Sequence, residues 1–268
     1  MKSRIITSRD NSLLRRARAV RDGKESASIF VEGLRLCEEA LASGLNIEAV
    51  IYSEEIARKE RPAPLINALE ELGAKSASVS EKLLESISYT KTPQGIIVLA
   101  SRPPSDKADF ETRQNAAPLL VIMHGINNPV NVGAIVRAAE AAGATGVIAT
   151  KETADPFSPK ALRGAMGSSF RLPIWINADY DKVIEWCRVA KIKMFGADVN
   201  ASMTHLEADW RVPCGMILGP ESTGLTPKEI RAASQAIRIP MQSRVQSLNV
   251  SVAAGVILYE AARQRGLS

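Results

Sequence analysis

The strongest hydrophobic periodicity in the chain lies near its C-terminus. From Val250, apolar positions recur at Ala253, Ala254, Ile257, Leu258 and Ala261, spaced i, i+3, i+4, i+7, i+8 and i+11, which predicts a packed helix. A second stripe, Val252, Val256 and Tyr259, makes that helix apolar on two sides, as expected of one deep in a core or shared with a partner chain. Gly255 in its interior costs about 1 kcal/mol relative to Ala, so close approach of another backbone is the expected compensation. Ser247, Asn249 and Ser251 crowd its first turn, which is more polar groups than a cap requires.

Along the first hundred residues, short apolar runs alternate with amphipathic stretches. Ser28 to Val31 predicts a strand, Leu34 to Ala42 a helix ended by Gly44, and Ile47 to Tyr52 another strand. Pro64 to Leu72 predicts a helix closed by Gly73, Lys75 to Val79 a strand, and Ser80 the cap of a further helix. The turn Thr92-Pro93-Gln94-Gly95 precedes a buried strand, Ile96 to Ala100. From Ser101 to Asn115 periodicity is lost and prolines appear, which reads as a linker.

The second half restarts with a strand from Pro118 to Met123, a loop from His124 to Gly133, and a small-residue helix from Ala134 to Ala142. Further strands are expected at Gly146 to Thr150, Arg171 to Ile176, Lys193 to Ala197, Gly215 to Leu218 and Ala236 to Ile239. Between them fall a helix opened by Ser158-Pro159-Lys160, a glycine-rich turn over Arg163 to Ser169, a helix from Asp179 to Ala190 and a short helix begun by Thr226-Pro227. This alternation implies an α/β protein with a mainly parallel sheet, whose functional loops sit at the C-terminal ends of the strands.

At 268 residues the chain is long enough for two modest domains. The absence of any run of about 18 apolar residues or a signal-peptide core points to the cytoplasm. Cys37, Cys187 and Cys214 are too scattered for a metal site or disulfide framework and read as buried thiols. With only His124 and His205 present, histidine-centred acid/base chemistry has few candidates. The net charge of +5 is a mild pull towards polyanions. Arg4, Arg9, Arg15, Arg16, Arg18, Arg21 and Lys24, interleaved with Leu13, Leu14, Ala17 and Val20, form an amphipathic basic helix that is either a solvated face or a phosphate contact.

Three loops at strand ends hold the polar residues that chemistry needs. They are Asn128-Pro129-Val130-Asn131-Val132-Gly133 with Arg137 beyond it, Gly219-Pro220-Glu221 with Gly224-Leu225, and Ile239-Pro240-Met241 with Ser247-Leu248-Asn249. Taken singly, Asn131 reads as a helix cap, Glu221 as a turn acid and Arg137 as a surface partner. Neither the G-x-G-x-x-G nor the G-x-x-x-x-G-K-S/T pattern is present, which argues against a conventional nucleotide turn.

In this order and spacing the loops resemble the three motifs of the SpoU family of the SPOUT superfamily, RNA ribose 2′-O-methyltransferases that use S-adenosylmethionine. The run from Ser247 to Ala253 is the most specific part of the likeness. Phe30-Val31-Glu32-Gly33, with Thr92-Pro93-Gln94-Gly95 before a strand, is similar to the family's N-terminal substrate-binding domain of L30e-like fold. Asn128 stands where the family usually has Asp, and Pro220 where Asn is common.

The resemblance implies an L30e-like RNA substrate-binding domain over residues 1–104, a linker over 105–117, and a SPOUT methyltransferase domain over 118–268 with a deep trefoil knot and a homodimeric assembly. It implies a cofactor held by Gly219, Ile239 and Leu248, with Gly196, Leu218 and Met241 as neighbours. Catalysis falls to Arg137, Asn131, Glu221, Ser247 and Asn249, with no metal. Because a guanidinium stays protonated, Arg137 is expected to orient the 2′-hydroxyl or an adjacent phosphate, fixed in turn by Glu221 and Asn131. Only 4% of residues are aromatic, so backbone and shape contacts are expected to outweigh base stacking. Their candidates are Arg15, Arg16 and Arg18, and Lys160, Arg163 and Arg171 beside the active loops. The expected substrate is 23S-type ribosomal RNA, with transfer RNA as the alternative. A non-catalytic RNA-binding protein of the same fold is a rival that loss of Arg137, Asn131 or Asn249 would favour, and all three are present. A Rossmann oxidoreductase would need the missing glycine fingerprint.

Overall fold

The computed structural model describes residues 4–114, 117–242 and 244–266. In the first half the elements are β1 (Arg4–Ile6), α1 (Ser12–Arg21), β2 (Ser28–Glu32), α2 (Leu34–Ala42), β3 (Ile47–Ser53), α3 (Glu54–Ala57), α4 (Ala63–Glu71), β4 (Lys75–Val79), α5 (Glu81–Ile87) and β5 (Ile96–Ser101). The second half begins with α6 (Lys107–Thr112), β6 (Leu119–Met123), α7 (Pro129–Ala141), β7 (Gly146–Thr150), α8 (Pro159–Ala165), α9 (Ser168–Arg171) and β8 (Ile174–Ala178). It continues with α10 (Tyr180–Val189), β9 (Lys193–Ala197), β10 (Met203–Thr204), β11 (Cys214–Leu218), α11 (Pro227–Ala232), β12 (Gln235–Arg238) and α12 (Val250–Gln264). One compact unit runs to Pro103 and takes in Phe157–Phe170; the other comprises Pro104–Pro156 and the chain from Arg171.

The first unit is a mixed sheet in the order β1-β4-β3-β5-β2. Strands β1, β4 and β3 are parallel, and β5 runs antiparallel to both β3 and β2. The apolar stripe of α1 does what its spacing predicts: Leu14, Ala17 and Val20 are buried in a core with Phe30, Ile51, Leu84 and Ile97. Glu32 at the end of β2 accepts from the backbone N–H groups of Tyr89 (2.8 Å) and Thr90 (3.2 Å) and from the Thr90 hydroxyl (2.6 Å), anchoring the loop that leads to Gly95. Helix α8 packs against β2 in the same unit.

The second unit is an all-parallel sheet in the order β10-β12-β9-β11-β6-β7-β8. Beyond β12 the chain travels back past β9 and β11 to set α12 against α7, the backtracking that a knotted path requires. All five residues of β6, β7 and β11 are buried, so these strands read as continuous apolar runs, as in a sheet covered on both faces.

Several expectations are corrected here. Helix α7 starts at Pro129, five residues before the expected Ala134, because Pro suits the first helical position and Asn128 caps it. The glycine-rich turn is largely helical: α8 ends at Ala165 and is capped by Met166, which adopts left-handed φ 48°, and α9 runs to Arg171, so β8 begins only at Ile174. The expected linker contains α6, whose fully buried Phe110 packs on Trp175 and Trp186 with centroids 6.2 and 5.8 Å apart. Asn115 and Ala116, in the same stretch, lie outside the described residues.

Candidate active site

The three expected loops meet at the C-terminal edge of the parallel sheet. Asn128 accepts from the Val130 N–H at 3.0 Å as the cap of α7, which releases Asn131 from capping and leaves it buried one turn in. Asn249 caps α12, its Oδ1 accepting from the N–H groups of Ser251 (2.9 Å) and Val252 (3.4 Å) and from the Ser251 hydroxyl (2.6 Å). With that oxygen committed, Asn249 donates Nδ2 to Asn131 Oδ1 at 3.2 Å. Asn131 then donates its own Nδ2 to Glu221 Oε1 at 2.6 Å. A helix cap thus sets two amide orientations in turn, and the line of polarity ends on a carboxylate. The other oxygen of Glu221 has no partner among the described residues.

Beside this line opens a cavity of about 820 Å³. Five of the six expected cofactor contacts line it: Leu218, Gly219, Ile239, Met241 and Leu248. Glu221, Ser247 and Asn249 line it as well, while Asn131 reaches it through its two partners. Ile237, Ala253 and Ile257 add apolar wall. Size, apolar floor and a polar edge together fit a purine nucleoside carrying a short polar tail. Gly219 makes the fold of the wall possible. A Cβ there would lie 2.6 Å from the Leu225 backbone nitrogen, so the loop closes back on itself only because the side chain is missing.

Other expected residues are placed differently. Gly196 does not line the cavity; a Cβ on it would meet Ile230 Cδ1 at 3.2 Å, so its role is to admit α11 against β9. Arg137 is exposed on α7 and makes no hydrogen bond or ion pair with Asn131 or Glu221, which are bonded to each other instead. Six residues apart on one helix, Asn131 and Arg137 point about 120° from one another, which is why a single carboxylate does not hold both.

Among the expected RNA contacts, Arg16 is engaged internally. It donates to Glu25 Oε1 (2.8 Å), Glu48 Oε2 (2.5 Å) and Ser28 Oγ (2.8 Å), tying α1 to β2 and β3, so its guanidinium is spent on the fold. Arg18 donates to the Arg9 carbonyl at 2.9 Å. Arg15, Lys160 and Arg163 are exposed, the last two on α8 in the first unit. Arg171 grips Glu140 with two hydrogen bonds of 2.6 and 2.8 Å.

Sequence reasoning missed His124 and Glu229, whose ring nitrogen Nε2 and carboxylate oxygen Oε1 lie 3.0 Å apart at the foot of α11. Burial alone would push the Glu229 carboxyl up, yet the Thr226 amide and His124 hold it below the usual carboxylate range. The signal for Glu229 was legible: Thr226 and Glu229 form a capping box, with Thr226 Oγ1 accepting from the Glu229 N–H and Glu229 accepting from the Thr226 N–H.

A parallel sheet with a backtracking last helix and polar loops converging on a nucleoside-sized cavity is joined in this chain to a separate mixed-sheet module, and its class is that of the methyltransferases it matches. Residues 118–259 match the SpoU rRNA Methylase family and residues 13–98 the MRM3-like substrate binding domain. The chain belongs to the SpoU rRNA Methylase family. An AdoMet-bound rRNA methyltransferase from Sinorhizobium meliloti superposes with a TM-score of 0.87 at 30% identity, covering 99% of both chains. An uncharacterised tRNA/rRNA methyltransferase of Synechocystis is 29% identical over 97% of this chain and 94% of its own. The 23S rRNA (guanosine-2′-O-)-methyltransferase RlmB of Vibrio parahaemolyticus is 29% identical over 77% of this chain and 85% of its own.

Proposed function

We propose that this chain is an S-adenosylmethionine-dependent RNA methyltransferase acting on a ribose 2′-hydroxyl, with 23S-type ribosomal RNA as substrate, in the cytoplasm. The observation that carries the reading is the line Asn249–Asn131–Glu221, which joins all three loops at the rim of the cavity. Support comes from the family match and from relatives named for rRNA or for guanosine 2′-O-methylation. No described helix is long and apolar enough to cross a membrane.

When bound, the cofactor supplies an electrophilic methyl group, and the protein's work is positioning. Leu218, Ile239 and Leu248 offer apolar surface to the adenine, and Ser247 and Asn249 lie at the polar end. Glu221, aligned by Asn131, presents its uncommitted oxygen to the substrate hydroxyl as the acceptor of its proton. Arg137, exposed on α7, meets the hydroxyl or a neighbouring phosphate. Arg15, Lys160 and Arg163 are exposed cations among the expected RNA contacts.

The assembly we propose is a homodimer built on α12. Val252, Val256 and Tyr259 are 52%, 39% and 57% exposed, an apolar stripe left uncovered by the chain's own core. A Cβ on Gly255 would meet nothing within 4 Å, so the close approach expected to compensate this helical glycine is to be found in a second chain.

Single-turnover methylation of unmodified rRNA tests the roles. Arg137→Ala should abolish transfer while leaving cofactor affinity unchanged, and Glu221→Gln should lower the rate about 100-fold or more. Wild-type rates in both variants would refute the assignment.

A further inference from the structure

Between α5 and β5 the chain runs from Ser88 to Gly95 without regular structure, yet it is fastened at three places. Arg21, its charge balanced by Asp22 at 2.8 Å, donates to the carbonyls of Ser86 (3.5 Å) and Ser88 (3.2 Å). Glu32, only 7% exposed, spends both carboxylate oxygens on the N–H groups of Tyr89 and Thr90 and on the Thr90 hydroxyl. Gln94 Oε1 accepts from the Leu34 N–H at 3.2 Å, which serves the first turn of α2, since its N-cap is Gly33 and brings no side chain. A Cβ on Gly33 would lie 2.8 Å from that oxygen, so the bare glycine is what admits the glutamine.

The pins leave a defined set of groups facing outward. Tyr89 is 43% exposed and Lys91 is exposed beside it. Gln94, with its oxygen committed, keeps the two N–H donors of Nε2. Together with Pro93 and Arg35 it lines a pocket of about 590 Å³ whose charged groups are Arg35, Lys59 and Arg61 against Glu55 and Glu81. Lys59 pairs with Glu55 at 2.8 Å, but both are exposed, so water screens the pair and a phosphate can replace the carboxylate. Among the described residues, Tyr89 and Tyr259 are the exposed aromatic rings, and Tyr259 belongs to the stripe of α12 assigned above to the dimer. Tyr89 is therefore the ring open to a base.

We infer that the loop from Ser88 to Gly95 reads an unpaired stretch of the RNA substrate: Tyr89 stacks on a base, Gln94 Nε2 donates to an acceptor of the same strand, and Lys91 and Arg35 meet its phosphates. Single-stranded RNA is recognised by laying unstacked bases on aromatic rings, and a duplex offers no such face. An exposed ring alone would mean little, but this one stands on a backbone held by a buried carboxylate, so the cost of ordering the loop is met before RNA arrives. Stacking accepts any base, since each has a π-face. The Gln94 donors add selection, because they suit a base carbonyl or ring nitrogen and not an exocyclic amine. This places the principal RNA contact of the first unit on the loop rather than on α1, where Arg16 and Arg18 are engaged internally.

The inference rests on the RNA reading given above, and the first probe is unmodified ribosomal or transfer RNA with the intact chain. Tyr89→Ala should raise the RNA concentration that half-saturates single-turnover methylation by about tenfold or more. Its dependence on salt should keep the wild-type slope, because no phosphate contact is lost. Tyr89→Phe keeps a ring and should stay within about twofold of wild type. Gln94→Glu keeps the acceptor for Leu34 but loses both donors, and should bind RNA about tenfold more weakly. Calorimetric affinity for S-adenosylhomocysteine should be the same in all three. A second measurement reads the ring itself. The chain has four tyrosines, Tyr52, Tyr89, Tyr180 and Tyr259, so in protein labelled with 3-fluorotyrosine the Tyr89 resonance is the one that Tyr89→Phe removes. It should move on addition of a short single-stranded RNA and stay in place with a duplex of the same length. Wild-type half-saturation in Tyr89→Ala, or a Tyr89 resonance unmoved by single-stranded RNA or moved equally by duplex, would overturn the inference. A wild type that binds and methylates neither RNA would instead remove the RNA reading and the inference with it.

Discussion

Three side chains from three loops owe their arrangement to one helix cap. Asn249 commits its oxygen to the first turn of α12, so its amide nitrogen is left for Asn131, and the Asn131 nitrogen for Glu221. Asn131→Ala would leave Asn249 Nδ2 and the facing Glu221 oxygen without their partner, and because both of those side chains are exposed, water replaces it and the fold should lose little stability. Single-turnover transfer should fall about 100-fold, with S-adenosylhomocysteine affinity nearly unchanged by calorimetry. Equal losses in binding and rate would show that Asn131 holds the cavity rather than aligning Glu221. At this scale a short motif carried each of the residues the structure brings together: Asn131, Glu221 and Asn249 are joined in space. The sequence was misleading for Arg137, whose tie to Glu221 depends on rotation about α7, and for Arg16, whose partners Glu25 and Glu48 are brought to it only by the sheet. His124 stood in a loop without a motif, and nothing in one dimension places it against Glu229, 105 residues on.

The element on which the site depends most is α12, and its far end is held as firmly as its cap. Glu260 is buried and accepts from Arg263 Nε and Nη2 at 2.8 Å each and from Gln264 Nε2 at 2.8 Å. Arg265 then donates to the carbonyls of Trp210 (2.6 Å), Ala117 (2.8 Å), Pro118 (3.1 Å) and Val212 (2.8 Å). The hydrogen bonds from Arg263 above all hold the Glu260 carboxyl down to about 2. A depressed carboxylate stabilises the fold above its unfolded pKa of about 4.3, and that contribution is lost as pH falls through the folded value. The melting-temperature gap between wild type and Glu260→Gln should therefore be full at neutral pH and close between about pH 4.3 and about pH 2; a gap independent of pH would contradict it. Gly219→Ala tests the wall at the other end of the site. Its Cβ would drive into the Leu225 backbone at 2.6 Å, and S-adenosylhomocysteine binding should be lost while far-ultraviolet circular dichroism stays native. Elements bounded by glycine, proline or a capping serine were legible to within a residue, as at α2, β4, β7 and β9. The three-residue edge strand β1 and the six-residue α6 were not, because neither is long enough to show a period and α6 rests on one buried ring, Phe110.

For the whole molecule, the uncovered stripe on α12 and the exposed cations make separate demands. Val256→Glu sets a charge in the proposed dimer face without touching the core, since Val256 is 39% exposed and its neighbour Ile257 is buried. Light scattering should find that variant monomeric with an unchanged thermal melt, against a dimeric wild type; a dimeric variant would move the interface elsewhere. The overall α/β alternation and the parallel second sheet followed from periodicity, whereas the backtracking path of α12 did not, since a return past β9 and β11 leaves no mark on hydrophobic spacing. The proposed reaction itself is open to one direct assay. Purified protein, tritiated S-adenosylmethionine and unmethylated ribosomal or transfer RNA are incubated together, and the RNA is digested to nucleosides. Label in a 2′-O-methyl nucleoside from ribosomal RNA, absent with Arg137→Ala, is the predicted result. Label on a base, or none in either RNA from protein that binds the cofactor, would contradict it.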